Sequence, residues 1–131
     1  MMKRLLMATV AIFITWSVMD FVIHGILLKP TYDATASLWR PMEEMNMPLM
    51  YLVILIFTAC FVMIYQMIER KSLATGIKYG LLFGIAFGVS MGLGSYSYLP
   101  IPMSLAWGWL GGTLVELLVA GVIVGLLVKS D

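Results

Sequence analysis

Four apolar runs, at residues 5–28, 49–68, 76–98 and 105–128, constrain this chain more than any other feature. Each supplies the roughly 20 residues that an α-helix, rising about 1.5 Å per residue, needs to cross a hydrocarbon layer of about 30 Å. Between them lie only a four-residue start, a connection at 29–48, a short basic link around Glu69, Arg70 and Lys71, a turn at 99–102 and a three-residue tail. No solvated domain fits in those pieces. Only 11% of the residues are charged, against about 25% in an average soluble domain, and the charges gather at the ends of the runs. The expected fold is therefore all-α: an integral membrane four-helix bundle forming one domain over 1–131, with a short interfacial helical segment between helices 1 and 2.

Orientation follows from lysine and arginine, which are in excess at cytoplasmic ends. Lys3 and Arg4 precede the first run, Arg70, Lys71 and Lys78 surround the second connection, and Lys129 follows the last run. Both termini are expected in the cytoplasm, in a bacterial inner membrane. The first connection balances Lys29 and Arg40 against Asp33, Glu43 and Glu44, and the third carries no charge, as outward-facing loops should. Tyr32, Trp39, Tyr51, Tyr96, Tyr98, Trp107 and Trp109 all fall near the outer boundary, where amphipathic rings anchor. The start, Met1-Met2-Lys3-Arg4 before an apolar run, has the look of a secretory signal. The run extends through residues 26–28, however, and no small-x-small cleavage pattern follows, so a first span is expected.

The outer connection mixes helix formers with capping residues and spaces Leu38, Trp39, Met42 and Met45 almost helically, which predicts one or two short helices. In lipid no hydrophobic force pairs helices, so small residues must let backbones approach. Gly76, Gly80, Gly84, Gly88 and Gly92 recur every four residues in the third run, and the fourth answers with Gly108, Gly112, Glu116 and Ala120 at the same spacing, plus Gly111, Gly121 and Gly125. The tight turn at 99–102 makes these two helices antiparallel neighbours, and the stripes are expected to meet there. Packing between copies, in a homo-oligomer or a larger membrane complex, is the alternative.

Three ionisable groups fall at membrane depth: Asp20 and His24 in the first run and Glu116 in the fourth. A carboxylate at the centre of a span costs about 2.5–3.5 kcal/mol on insertion scales, which makes each a candidate for function. Asp20 and His24 are one turn apart on one face, with Ser17 a further turn along nearly the same stripe. By helical rise, His24 lies about 6 Å, Asp20 about 12 Å and Glu116 about 17 Å inside the outer ends, with Ser90 near the depth of Asp20. The expectation is a polar site in the outer half that binds or translocates a small solute, a proton or a cation. Its competitors are structural: an Asp20–His24 pair that fixes the helix entry, and a Glu116 that bonds a neighbouring backbone.

The chain has 12 methionines, and Met42, Met45, Met47 and Met50 put four thioethers within nine outer positions, a soft donor set suited to Cu(I) unless they merely fill an apolar surface. Cys60, the lone cysteine, reads as an inert core residue and excludes intrachain disulfides and thiol-pair redox chemistry. One histidine cannot give two axial haem ligands within one chain. Gly92-x-Gly94 lacks the strand-to-helix setting of a phosphate loop, and a net charge of +1 offers no basic surface for nucleic acid. An enzyme is therefore not the leading expectation. The expected partner is the lipid bilayer, no cofactor is implied, and a non-catalytic accessory subunit of a membrane complex is the second reading.

Overall fold

The computed structural model describes residues 1–130, and among them every regular element is helical. Helix α1 (Met2–Val22) continues into a π-helical turn, Ile23–Leu27. A short α2 (Lys29–Ala34) and two 3-10 turns, Ala36–Leu38 and Met42–Glu44, lead to α3 (Met47–Gln66). Helix α4 (Leu73–Val89) continues into a second π turn, Ser90–Gly94, and α5 (Met103–Leu127) completes the fold. Four of these helices are long and apolar enough to cross a membrane: Met2–Leu27, Met47–Gln66, Leu73–Gly94 and Met103–Leu127.

The second and third long helices start before their apolar runs because polar residues cap them. Asn46 accepts a hydrogen bond from the Leu49 amide at 3.0 Å, with Pro48 in the first turn, where its missing N–H costs nothing. Ser72 accepts likewise from the Thr75 amide at 3.1 Å. The long connection is less regular than its spacing predicts. Trp39 and Pro41 are extended, so Leu38, Trp39, Met42 and Met45 do not share one helix but are divided between the two 3-10 turns and their flanks. Pro41 disfavours helical geometry at the residue before it and breaks the run there.

Antiparallel contacts define a ring in the order α1, α3, α4, α5. Phe13 meets Tyr51 and Trp16 meets Phe57 between α1 and α3. Phe57 meets Phe87, and Phe61 meets Tyr79 with ring centroids 4.5 Å apart, between α3 and α4. Ile12, Val62, Tyr65, Leu117 and Val124 are fully buried in the core this ring encloses. The connection at 28–46 and the turn at 97–102 close one end, called here the loop end. The amino terminus, the link at 67–72 and the last residues, with Lys3, Arg4, Arg70, Lys71 and Lys129, occupy the opposite, basic end.

The α4–α5 contact is of a different kind, because backbone meets backbone. A methyl built on Gly76 would lie 2.7 Å from Gly125 Cα, one on Gly80 2.9 Å from Gly121 Cα, and one on Gly84 3.1 Å from the Leu114 carbonyl oxygen. Gly88 abuts Leu110, and Gly92 abuts Ala106 and Leu110. All five glycines of the α4 stripe thus face α5. The partner positions, however, are not Gly108 and Gly112. Those two face α1, where a methyl on Gly108 would strike the Leu28 side chain at 2.6 Å and one on Gly112 the Ile23 side chain at 3.1 Å. Helix α5 has two neighbours, and a four-residue period drifts by about 40° per repeat. Its Gly108–Gly112 stripe lies against α1, whereas Gly121 and Gly125 are outside that register: nine residues, about 900°, put Gly121 half a turn around from Gly112, where it meets α4. Cys60 is also displaced from the expected core: it is exposed on α3.

Candidate functional site

The pairing of α1 with α5 brings Asp20 and Glu116 together. Trp16, one turn before Asp20 on the same face, donates from Nε1 to the Glu116 carbonyl oxygen at 2.8 Å, and the Asp20 and Glu116 carboxyls face each other across the same contact. Helix α1 therefore grips α5 at one residue twice, through its backbone and through its carboxyl. Glu116 Oε1 is buried and receives no N–H or hydroxyl from the described residues. Two carboxyls can hydrogen-bond only when one of them carries a proton. One proton shared between Asp20 and Glu116 would let the two carboxyls bond each other, whereas two carboxylates in contact, with one buried oxygen unpaired, would be costly at such a position.

His24 extends the pair toward the loop end. Its Nε2 lies 3.7 Å from Asp20 Oδ1, a contact longer than a hydrogen bond that becomes an ion pair only when the imidazole is protonated. Its Nδ1 is 2.7 Å from the Tyr32 hydroxyl, and Trp109 donates from Nε1 to that same hydroxyl at 2.6 Å. The π turn sets the ring's direction. The Leu28 amide bonds back to the Ile23 carbonyl at 2.8 Å, five residues earlier, so the helix widens by one residue where His24 sits, as π turns often do at functional positions. The result is a continuous polar chain, Glu116–Asp20–His24–Tyr32–Trp109, drawn from α5, α1 and α2. The Asp20 and His24 side chains keep 35% and 42% of their exposure, so the chain is reachable from outside the bundle.

Aromatic packing holds the outer member in place. Tyr32 and Trp39 rings are 5.5 Å apart and Trp39 and Trp109 rings 6.0 Å apart, both edge to face. Trp39 Nε1 donates to Thr35 Oγ1 at 2.9 Å, and Thr35 donates to the Thr31 carbonyl at 2.8 Å. Leu28, Tyr32, Trp39 and Trp109 pack on Ile101, Leu105 and Ala106 at the start of α5. Burial lifts the Tyr32 phenol above its ordinary range, the Trp109 hydrogen bond opposes that shift, and the Asp20 charge adds to it. The hydroxyl therefore keeps its proton across the neutral range.

Two of the expected site residues lie elsewhere. Ser17 turns back on its own helix, donating to the Phe13 carbonyl at 2.8 Å, and lines a shallow groove with Phe13, Phe21 and Tyr51. Ser90 is exposed. It sits midway between Gly88 and Gly92, which face α5, and so projects from the opposite side of α4. The polar residues form a packed chain of contacts, and neither apolar groove along α1 includes Asp20, His24 or Glu116. No trio of His, Cys, Asp and Glu among the described residues is disposed around one metal ion. Met42, Met45, Met47 and Met50 are all exposed at the loop end, the last two in the first turn of α3.

Tyr32, Trp39 and Trp109 were legible only as boundary aromatics, and Trp16 carried no signal of its contact with Glu116. No protein family, curated protein or solved structure matches the chain.

Proposed function

We propose that the chain is an integral membrane protein whose Asp20–His24–Glu116 site, in the half of the bilayer facing the loop end, binds or passes a small solute, a proton or another cation. The observation that carries this reading is the carboxyl pair. Two acids brought into contact between long apolar helices are expensive to insert and stable only with a proton or a cation between them, and His24 beside them can exchange charge with that pair. The excess of lysine and arginine at the basic end supports a cytoplasmic position for that end. In a Cys60→Ala background, a cysteine at Asp33 is expected to react with an impermeant maleimide on intact cells, and one at Lys71 only after permeabilisation. The reverse pattern would invert the topology.

The reading is tested by reconstituting the full chain in vesicles and following internal pH and cation uptake, with Glu116→Gln as the inactive control. The accessory-subunit reading draws no support from the glycine stripe, whose contacts are satisfied inside the chain. It is what remains if Glu116→Gln is silent.

The exposed methionines favour a separate role in Cu(I) binding. Stoichiometric binding by the full chain is expected to vanish when Met42, Met45, Met47 and Met50 all become leucine, a nearly volume-conserving change. Binding that survives this change, or none by the parent, removes copper.

A further inference from the structure

The polar chain has a direction, fixed by which of its members can only donate. Trp109 Nε1–H is a donor and nothing else, so the Tyr32 oxygen is the acceptor in their 2.6 Å bond. The Tyr32 hydroxyl proton is then left for its other close neighbour, His24 Nδ1, at 2.7 Å. In the tautomer that uses this proton, Nδ1 is the acceptor and the imidazole proton is on Nε2, facing Asp20. Nδ1 is occupied, Nε2 faces Asp20 at 3.7 Å without bonding it, and the route through Tyr32 ends at an indole N–H that has no second proton to pass on.

From this we infer, resting on the function proposed above, that the species the site takes is a proton and that Tyr32 is the latch that admits it. With α2 docked, the Tyr32 hydroxyl closes His24 Nδ1. When α2 swings away, water reaches Nδ1: a hydronium O–H bond breaks, an N–H bond forms, and the imidazolium faces the carboxyl pair. The ring then releases its Nε2 proton to Asp20 and is left neutral with the proton on Nδ1, and reorientation of the ring restores the first tautomer. The titratable and charged groups around His24 are Asp20 on its own helix, Glu116 behind it on α5, and Tyr32, Lys29 and Asp33 on α2. The last two are paired with each other at 2.8 Å and largely exposed. The geometry suits a proton better than a larger cargo, because each link is a direct side-chain contact with no chamber between the links.

The chain contains one histidine, so nitrogen-15 histidine labelling of the full protein in lipid nanodiscs reports His24 alone. The expected spectrum has the proton on Nε2 and a hydrogen-bonded Nδ1, and Tyr32→Phe should move the Nδ1 signal to that of a free acceptor. A proton on Nδ1 in the neutral parent, or an Nδ1 signal unchanged in Tyr32→Phe, would overturn the latch. In vesicles driven by a potassium diffusion potential, Tyr32→Phe should speed proton entry by about 2- to 10-fold, the range that one net hydrogen bond spans. Trp109→Phe should act in the same direction more weakly, and His24→Gln should abolish entry. A slower Tyr32→Phe would make Tyr32 a relay and refute the latch. Absence of proton entry in the parent and in every variant would refute the proton, and the proposed function falls with it only if cation uptake is absent as well. Nitrogen signals as expected alongside entry that is insensitive to Glu116→Gln would sink only the proposed function.

Discussion

Gly80→Ala is expected to destabilise the fold, and Gly80→Leu to prevent its assembly, whereas Gly111→Ala should leave stability unchanged or raise it. The three changes separate two effects that oppose each other in any helix. Alanine is a better helix former than glycine by up to about 1 kcal/mol, and at Gly111 that gain stands alone, because a methyl there meets nothing within 4 Å. At Gly80 the same methyl meets the Leu117 carbonyl oxygen and lies 2.9 Å from Gly121 Cα. Both obstacles are backbone and cannot rotate away, so α4 must move off α5. Overpacking of a tight core costs about 1–3 kcal/mol, more than propensity returns, and leucine brings three further carbons to the same spot. Gly84 should be more tolerant, since the nearest atom to its added methyl, at 2.8 Å, is the end of the Leu114 side chain. Thermal unfolding in detergent tests the order. A Gly80→Ala midpoint equal to that of the parent would mean that the α4–α5 contact is looser than this packing requires.

That packing also shows where sequence reasoning was sufficient and where it stopped. The four long helices follow from run length, because nothing shorter buries so much apolar surface. The α4 stripe follows from spacing, because five glycines in register leave one face without side chains. Which residues of α5 answer it does not follow: α5 touches two helices, and a period specifies a stripe without naming its neighbour. Hence Gly108 and Gly112 fit against Ile23 and Leu28 of the α1 segment while Gly121 and Gly125 receive α4. The same limit applies to the site. The i,i+4 spacing pairs Asp20 with His24, and depth along the bundle brings Glu116 level with them. The contact from Tyr32 to Trp109 joins residues 77 apart in sequence. It depends on an irregular connection and on a π turn that no hydropathy pattern encodes.

Glu116→Gln is expected to keep the fold and lose the function, and the reason lies in what the amide can and cannot replace. A glutamine amide is the same size as a protonated carboxyl and donates to the Asp20 carboxylate as the shared proton does, so the α1–α5 contact survives and stability should change by no more than the roughly 1 kcal/mol of one neutral hydrogen bond. The amide proton cannot leave. If the pair is where the transported charge rests, uptake should fall at least about 100-fold, the low end of what a positioned proton-transfer group contributes to a rate. Asp20→Asn should do the same from the other side, and the double variant should be no worse than either single one, because both remove one shared proton. Glu116→Val supplies the structural contrast. It leaves Asp20 without its partner beside apolar helices and should cost about 1–3 kcal/mol, although Trp16, which bonds the Glu116 backbone, still holds the helices together. Measured together, thermal midpoint and uptake distinguish the roles. A Glu116→Gln protein as active as the parent would reduce the pair to a structural clasp between α1 and α5.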